Sequence, residues 1–258
     1  MKVSSFIALV DTKARMTLKA EAAGLYLSYL WWILEPIIYV MAFYFVFNVL
    51  LKTSQENFLL FLMCGKIPYL WFSKSVTSAS GSLAANKGLI SQLDISKAIF
   101  PYAAIQIALY KEWPVYLVLL VMTMMYGHAP SLSWLWLIPL IIVQYLMIVT
   151  LGMFCALLVC YADDFRMVIN MGMLFLLFIS GVFFDLSAIS DPELRNLLLT
   201  YNPLSFLIHA YRQVLMEKQL YDVPHLIGLF LFFIATTILM HGIYARYSRK
   251  IAARVVNA

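Results

Sequence analysis

Most of this 258-residue chain consists of long apolar runs that are separated by short polar connections. A helix needs about 20 apolar residues to cross the hydrocarbon core of a bilayer, so each run predicts a membrane-spanning helix. Between the fifth and sixth runs, residues 185–223 are interrupted too often for a clean span and predict re-entrant or surface-lying helices instead. The six predicted spans are residues 30–50, 58–80, 102–126, 134–160, 167–184 and 224–245.

The composition agrees with this pattern. Hydrophobic residues make up 64% of the chain and charged residues only 12%, whereas soluble domains carry about 25% charged residues. We therefore expect an all-α integral membrane protein built as one unit over residues 1–258. It would comprise an interfacial segment at 1–29, a six-span core at 30–245 and a tail at 246–258.

The basic residues predict the orientation of the spans, because short cytoplasmic loops carry an excess of lysine and arginine. With the N-terminus inside, eleven basic residues fall on the cytoplasmic side and four on the other side. Both termini and the loop between spans two and three are then cytoplasmic. The eleven are Lys2, Lys13, Arg15, Lys19, Lys87, Lys97, Arg166, Arg246, Arg249, Lys250 and Arg254.

The N-terminal segment has helical periodicity. Its apolar residues recur at three- and four-residue steps, while Lys13, Arg15 and Lys19 lie on the other side. This pattern predicts an amphipathic helix in the inner headgroup layer, either as a topology anchor or with a functional contact of its own. The apolar positions are Val3, Phe6, Ile7, Val10, Ala14 and Leu18.

Motifs of catalysis and metal binding are absent from the sequence. It contains no phosphate-binding loop, no His-Glu-x-x-His and no Gly-x-Ser-x-Gly. Cys64, Cys155 and Cys160 lie in apolar runs without the spacing of metal ligands. We expect no catalytic residue and no metal site, and a protein of this kind moves or gates a substrate with energy supplied by another chain.

A short amphipathic stretch, "ANKGLISQLDISKAIFP", separates the second and third spans at residues 85–101. Asn86 or Ser91 is expected to cap its helix, and Pro101 to begin the next span. From periodicity alone, a helix resting on the inner leaflet and a docking element for a partner are equally consistent. Leu89, Ile90 and Leu93 form its apolar face, and Lys87, Asp94 and Lys97 its polar rim.

Polar and aromatic residues also occur within the spans. Lys74 and the hydroxyl residues after it give the second span a polar side that lipid would not tolerate. Lys111 and Glu112 are expected to pair with charges on neighbouring helices, for example Glu35. Most aromatic residues are explained by packing and interfacial anchoring, but some would line a conduit, where they stack weakly on sugars. The candidate lining residues are Tyr39, Phe43, Tyr69, Trp71 and Lys74.

The stretch between spans five and six predicts two short helices. Asp191 would cap the first, with Pro192 in its first turn, and Asn202-Pro203 would begin the second, which ends near Lys218. Such a pair would close a pore from outside, or would form a re-entrant hairpin that fills space between spans.

Three stretches carry a resemblance to a known family. They are "RMTLKAEAAGLYLSYLWWILEPIIYVMAFYFVF", "CGKIPYLWFSKSVTSASGSLAANKGLISQLDISKAIFP" and "SGVFFDLSAISDPELRNLLLTYNPLSFLIHAYRQVLM". In order and spacing the chain resembles the membrane subunit of type-2 ABC exporters of O-antigen, capsular polysaccharide or teichoic acid. It departs from the family pattern at Glu21-Ala22-Ala23-Gly24 and in the loop Tyr161–Arg166.

The resemblance implies a bacterial inner-membrane permease that forms a channel as a homodimer and binds two copies of an ABC ATPase subunit. ATP and Mg²⁺ would be bound by the ATPase, and no cofactor or nucleic acid by this chain. The cytoplasmic loop would be a coupling helix that docks in the ATPase, and the residues assigned to it are Asn86, Lys87, Leu89, Ile90, Leu93, Asp94 and Lys97.

The substrate implied by the resemblance is a lipid-linked polysaccharide, with O-antigen as the first expectation. Its lipid-pyrophosphate group would contact Arg15 and Lys19. A periplasmic gate would be formed by Asp191, Pro192, Asn202, Pro203 and Arg212. The alternatives are a capsule or teichoic acid exporter, a drug or lipid exporter of the same superfamily, and, outside it, an ion-coupled carrier.

Overall fold

The computed structural model describes residues 3–23, 30, 34, 37–38, 41–42, 44–50 and 57–257, and every regular element in them is helical. This confirms the prediction of an all-α protein. Short π-helical turns lie at Phe45–Leu50 and Gln213–Glu217, and 3₁₀ turns at Leu132–Trp136 and Leu186–Ala188. The α-helices are α1 (Val3–Ala23), α2 (Phe58–Ser80), α3 (Ser82–Ala85), α4 (Lys87–Gln92), α5 (Ile99–Met125), α6 (Leu137–Tyr161), α7 (Phe165–Ile179), α8 (Pro192–Tyr201), α9 (Pro203–Arg212), α10 (Val223–Arg246) and α11 (Ser248–Asn257).

Three helical segments in the described residues are long and apolar enough to cross a membrane, which makes the chain a multi-pass membrane protein. They are Ile99–Met125, Leu132–Tyr161 and Val223–Arg246, and they match the predicted spans three, four and six. Helix α2 coincides with the predicted second span. The predicted first span, residues 30–50, lies mostly outside the described residues.

The predicted fifth span is shorter than expected. Helix α7 has 15 residues, which gives a length of about 22 Å against a hydrocarbon core of about 30 Å. It ends because Gly181 adopts a left-handed conformation with φ of 73°, and the chain then turns away. An apolar run could not predict this end, since residues 181–184 remain apolar through the turn.

The core of the bundle is built around α2, which packs against α5, α6 and α9, while α6 also packs against α10. Gly152 of α6 allows α6 to approach α2 and α5 closely. A Cβ atom at this position would lie 3.0 Å from Ala79 Cβ on α2 and 3.1 Å from Ile105 Cδ1 on α5. Small residues permit this close approach of membrane helices, whose association depends on van der Waals packing.

Helix α1 confirms the prediction that the N-terminal segment is helical. Its apolar side, however, packs against another helix of the protein, whereas the prediction placed it in the headgroup layer of the membrane. Val10, Ala14 and Leu18 are buried, because α1 packs along α5. Ile7, also on the predicted apolar side, remains 60% exposed. The apolar stripe therefore faces another helix of this protein rather than lipid alone.

The two short helices between α7 and α10 form as predicted. The Asp191 carboxylate accepts a hydrogen bond from Glu193 N at 2.9 Å, and Pro192 begins α8. Asn202 Oδ1 likewise accepts from Leu204 N at 3.1 Å at the start of α9. The π-helical turn after α9 ends at Glu217, with Lys218 as its C-cap, which confirms the predicted end of this segment near Lys218.

Candidate functional site

The predicted coupling helix is α4, and its apolar face is divided between two sides. Leu89 and Leu93 are 43% and 46% exposed, whereas Ile90 is 3% exposed and belongs to the core. The assignment of Lys97 to a solvated rim is wrong. Its side chain is buried, and Lys97 Nζ donates to Leu93 O at 2.9 Å, so Lys97 holds the backbone that follows α4. Lys87 and Asp94 are exposed, as a polar rim requires.

The predicted cap of α4 is also wrong. Asn86 occupies the N-cap position without a side-chain capping bond, and Ser91 lies within the helix and donates to Gly88 O. Asn86 Nδ2 instead donates to Ser82 O at 2.7 Å, and Asn86 Oδ1 accepts from Lys13 Nζ at 2.7 Å. Asn86 thus joins the junction of α3 and α4 to helix α1.

Helix α1 is fixed by polar contacts to α5. The Tyr110 hydroxyl donates to Asp11, and this hydrogen bond, with the Arg15 guanidinium, lowers the pKa of Asp11. Lys111 pairs with Glu21, which confirms that Lys111 pairs with a charge on a neighbouring helix. The predicted example, Glu35, lies outside the described residues.

Lys13 approaches α5 from the same side. Its ammonium lies 5.4 Å from the centre of the Phe100 ring, and partial burial lowers the pKa of Lys13. Of the two predicted pyrophosphate contacts, Arg15 Nε is bonded to Asp11 Oδ2 at 2.9 Å. Lys19 is exposed.

Helix α11 supports α4 on another side, although the sequence predicted only a tail for this segment. It packs against α4, α6 and α10, and it buries Ile251 and Val255. Arg254 Nη2 donates to Tyr161 O at 3.0 Å and joins α11 to the end of α6. The four-residue spacing of Ile251 and Val255 among basic residues is a signal that could have predicted this amphipathic helix.

The predicted conduit-lining residues fall into three groups. Tyr69 and Trp71 are buried within the subunit; the Tyr69 hydroxyl donates to Met173 O on α7, and the Trp71 ring contacts Tyr116. These two residues therefore do not line an accessible surface in this conformation, contrary to the prediction. Lys74 is exposed. Tyr39 and Phe43 lie outside the described residues.

A polar stripe on α2, formed by Ser73, Lys74, Thr77 and Ser78, reaches the surface around Lys74. Lys74 and Ser78 are exposed, and Ser73 and Thr77 are partly exposed. Helix α7 packs beside this helix. Arg166 of α7 approaches Gly81 at the end of α2, where a Cβ atom would lie 3.7 Å from Arg166 Nη2.

Helix α7 itself presents a large apolar surface. Met167, Met171 and Phe175, at successive four-residue steps, are 75%, 70% and 64% exposed. Ile169 is its one buried residue. The combined α2–α7 face thus places polar groups next to unburied apolar side chains.

Arg212, the last residue of α9, is an anchor for the opposite end of the bundle. Its side chain is 2% exposed, and its guanidinium donates to Gly181 O at 2.6 Å and Val182 O at 2.8 Å. Weaker hydrogen bonds reach Phe184 O at 3.4 Å and Phe61 O at 3.3 Å, and the Phe61 ring lies 3.5 Å from Arg212 Cζ. Arg212 therefore joins α9 to α2 and to the loop after α7.

Gly65 makes room for this arginine. A Cβ atom at Gly65 would lie 2.6 Å from Arg212 Nη2 and 3.2 Å from Val182 O. The sequence predicts Arg212 at a gate but gives no signal for Gly65, because only the folded chain places α2 against α9.

Sequence comparison identifies the family of this chain. Residues 18–216, which include α4, α7 and Arg212, match the family described as ABC-2 type transporter. The chain belongs to the ABC-2 type transporter family. As an ABC-2 protein it is the membrane subunit of a transporter rather than an enzyme. Among the described residues, no three His, Cys, Asp or Glu side chains are grouped to hold a metal ion.

Several relatives of this ABC-2 protein are named O-antigen export system permease protein RfbA. One from Klebsiella pneumoniae is 27% identical over 204 residues, which cover 79% of this chain and 78% of the relative. A second from the same organism is 27% identical over 201 residues, covering 78% and 77%. One from Myxococcus xanthus is 24% identical over 221 residues, covering 86% and 85%.

Proposed function

We propose that this ABC-2 subunit forms, as a homodimer, the channel of an ATP-driven exporter that moves a lipid-linked polysaccharide, with O-antigen as the first candidate. The observation that carries the proposal is the alignment with O-antigen export permeases over about four fifths of both chains. The subunit would have six spans and lie in the bacterial inner membrane with both termini in the cytoplasm. ATP and Mg²⁺ would be bound and used by a separate ATPase subunit, two copies per complex.

The docking surface for the ATPase would be the exposed side of α4. Leu89 and Leu93 reach solvent there, while Ile90 attaches the helix to the core. Contacts with α1 through Lys13 and with α11 hold α4 from two sides. A helix supported in this way would transmit a push from the ATPase to α1 and α6 instead of yielding locally.

Replacing both leucines, Leu89→Asp with Leu93→Asp, is expected to abolish export while leaving the subunit folded, because both side chains are partly solvated. The apolar contact that fills a cleft in the partner would be replaced by two desolvated charges. In a deletion strain, the variant should fail to restore surface polysaccharide, lipid-linked glycan should accumulate inside, and the ATPase should no longer copurify.

Ser91→Asp changes an exposed position of the same helix without removing the two leucines or a residue of the polar rim, and should retain much of the export. Full export by the double leucine variant would refute the docking role of α4. A deletion strain with normal surface polysaccharide would refute the proposed substrate class.

The conduit and the homodimer contact would share the α2–α7 face. A polar stripe around Lys74 is costly against lipid and suits a hydrated path for a polymer. The exposed apolar side chains beside it, including Met171, suit burial against a second copy of the subunit.

Two other sites belong to the proposal. Arg15 and Lys19 would contact the lipid-pyrophosphate at the inner interface of the membrane. Helices α8 and α9 would form the periplasmic gate, which Arg212 anchors to the bundle.

A cysteine at Met171 is expected to cross-link two subunits in native membranes, because this position is 70% exposed on α7. The matched control is Ile238→Cys on α10, 67% exposed, which should remain monomeric on a denaturing gel. The three native cysteines are buried and free, so they give no background. Equal cross-linking at both positions, or no cross-linking at Met171, would contradict the proposal that the α2–α7 face forms the contact between the two subunits.

A further inference from the structure

The hydrogen bond between Lys13 and Asn86 joins two parts of the bundle that are far apart in the sequence. Lys13 Nζ of α1 donates to Asn86 Oδ1 at 2.7 Å, and Asn86 lies directly before α4, the proposed docking helix. The same asparagine donates through Nδ2 to Ser82 O at 2.7 Å. Lys13 is therefore attached to the junction of α3 and α4.

The surroundings of Lys13 favour a fixed position for its side chain. Lys13 and Asn86 are both partly buried, and the lysine ammonium lies 5.4 Å from the centre of the Phe100 ring at the start of α5. A hydrogen bond from a charged donor is stronger than a neutral one, and a cation over an aromatic face is attracted to it. The bond to Asn86 is thus suited to transmit a movement between α4 and α1.

Helix α1 is in turn attached to the side of α5, well beyond the start of that helix. The Tyr110 hydroxyl donates to Asp11, and Lys111 pairs with Glu21. The helical rise places these two contacts about 16–18 Å along α5 from its start at Ile99. They hold α1 to the middle of α5.

Helix α4 is therefore connected to α5 by two routes. The covalent route runs through residues 93–98, which contain no regular helix, and reaches only the start of α5. The second route runs from Asn86 through Lys13 and α1 to the middle of α5. Two attachment points along a rigid helix fix its direction, whereas one attachment at its end leaves the helix able to tilt. The second route would make α5 follow α4 as a whole.

We propose that Lys13 is a positioning residue for the coupling of ATP hydrolysis to export, because its bond to Asn86 makes α1 the rigid link from α4 to the middle of α5. This inference rests on the proposed function, since it takes α4 to be the docking helix for the ATPase. It extends that function to a residue outside the docking surface. Loss of Lys13 should uncouple the transporter without releasing the ATPase.

Lys13→Met tests the link in the complete transporter, because it leaves an apolar side chain beside Phe100 but removes the donor to Asn86. Surface polysaccharide in the deletion strain should fall about tenfold, within the roughly 5–150-fold range of ordinary coupling between sites. The ATPase should still copurify and hydrolyse ATP at close to the wild-type rate. Lys13→Arg keeps a charged donor and should restore most of the export. Thr12→Met, at an exposed neighbouring position, is the matched control and should export normally.

Substitutions at Asn86 test the other side of the same bond. Asn86→Asp keeps an acceptor for Lys13 and loses only the donor to Ser82 O, so it should export more than Asn86→Leu, which loses both. Because Lys13→Met and Asn86→Leu remove one hydrogen bond, the double variant should export no less than the weaker single variant.

Four results would overturn the inference: wild-type export by Lys13→Met, loss of the ATPase from the purified Lys13→Met complex, an equal fall of ATP hydrolysis and export, or multiplied losses in the double variant. A fall in the membrane level of Lys13→Met that matches its fall in export would also overturn it, because the role of the lysine would then be structural. The proposed function fails by a different result, in which no ATPase copurifies with the wild-type subunit.

Discussion

Replacing Arg212 with methionine is expected to lower the free energy of unfolding by about 3–5 kcal/mol, a loss at the upper end of single substitutions. The guanidinium donates to four backbone carbonyls, two of them at 2.6 Å and 2.8 Å. Methionine fills part of the volume but donates nothing, so buried carbonyls at Gly181 and Val182 would lose their partner. The loop after α7 would then be released from α9 and α2.

Thermal unfolding of the detergent-purified protein, together with its level in the membrane, measures this loss. Arg212→Lys should be intermediate, because a lysine keeps the charge but cannot reach several carbonyls with a planar fork. Arg195→Gln, on the partly accessible side of α8, is the matched control and should change stability by less than about 0.5 kcal/mol. Equal stability of the Arg212→Met variant and the control would show that the anchor contributes little.

Gly65→Ala is expected to be the second most damaging change, with a loss of about 2–3 kcal/mol from overpacking. The added Cβ atom would lie 2.6 Å from Arg212 Nη2 and 3.2 Å from Val182 O. A long side chain usually moves away at little cost. Here it cannot, because the same guanidinium is held by backbone carbonyls on two sides of the contact.

Gly172→Ala provides the matched control for Gly65→Ala. A Cβ atom at Gly172, on α7, would meet nothing within 4 Å, and alanine is favoured over glycine inside a helix by roughly 0.5–1 kcal/mol. This variant should unfold at or slightly above the wild-type temperature, whereas Gly65→Ala should unfold well below it.

A double-mutant cycle tests whether Gly65 acts through the arginine. In the Arg212→Met background the 2.6 Å contact with Nη2 no longer exists, so Gly65→Ala should add much less than it costs alone. If the losses of unfolding free energy from the two substitutions are fully additive, Gly65 is required for another reason, such as the close approach of Val182 O to this position.

The coupling segment shows where prediction from sequence reached its limit. A short helix between the second and third spans was predicted from the amphipathic pattern, and α4 is present at Lys87–Gln92. The same pattern placed Ile90 with Leu89 and Lys97 with the polar rim. Ile90 and Lys97 are in fact buried. Helix α11 packs against α4, and this neighbour cannot be inferred from a six-residue helix.

The amino-acid sequence by itself determined the class of the protein, three of its membrane spans and the starts of α8 and α9. These features depend on local physics. An apolar run of sufficient length must be helical in a membrane because its backbone polar groups need partners within the segment. An aspartate or asparagine before a proline, as at Asp191 and Asn202, satisfies the first N–H groups of the helix that follows.

Only the tertiary structure decided which side chains share a site. Arg212 bonds to Phe61 O across 151 positions of sequence, and Lys13 bonds to Asn86 across 73. Contacts over such distances depend on how whole helices pack, and one chain's pattern of apolar and polar residues does not specify which helices become neighbours. The role of Arg212 and the constraint on Gly65 therefore emerged only when the helices were brought together.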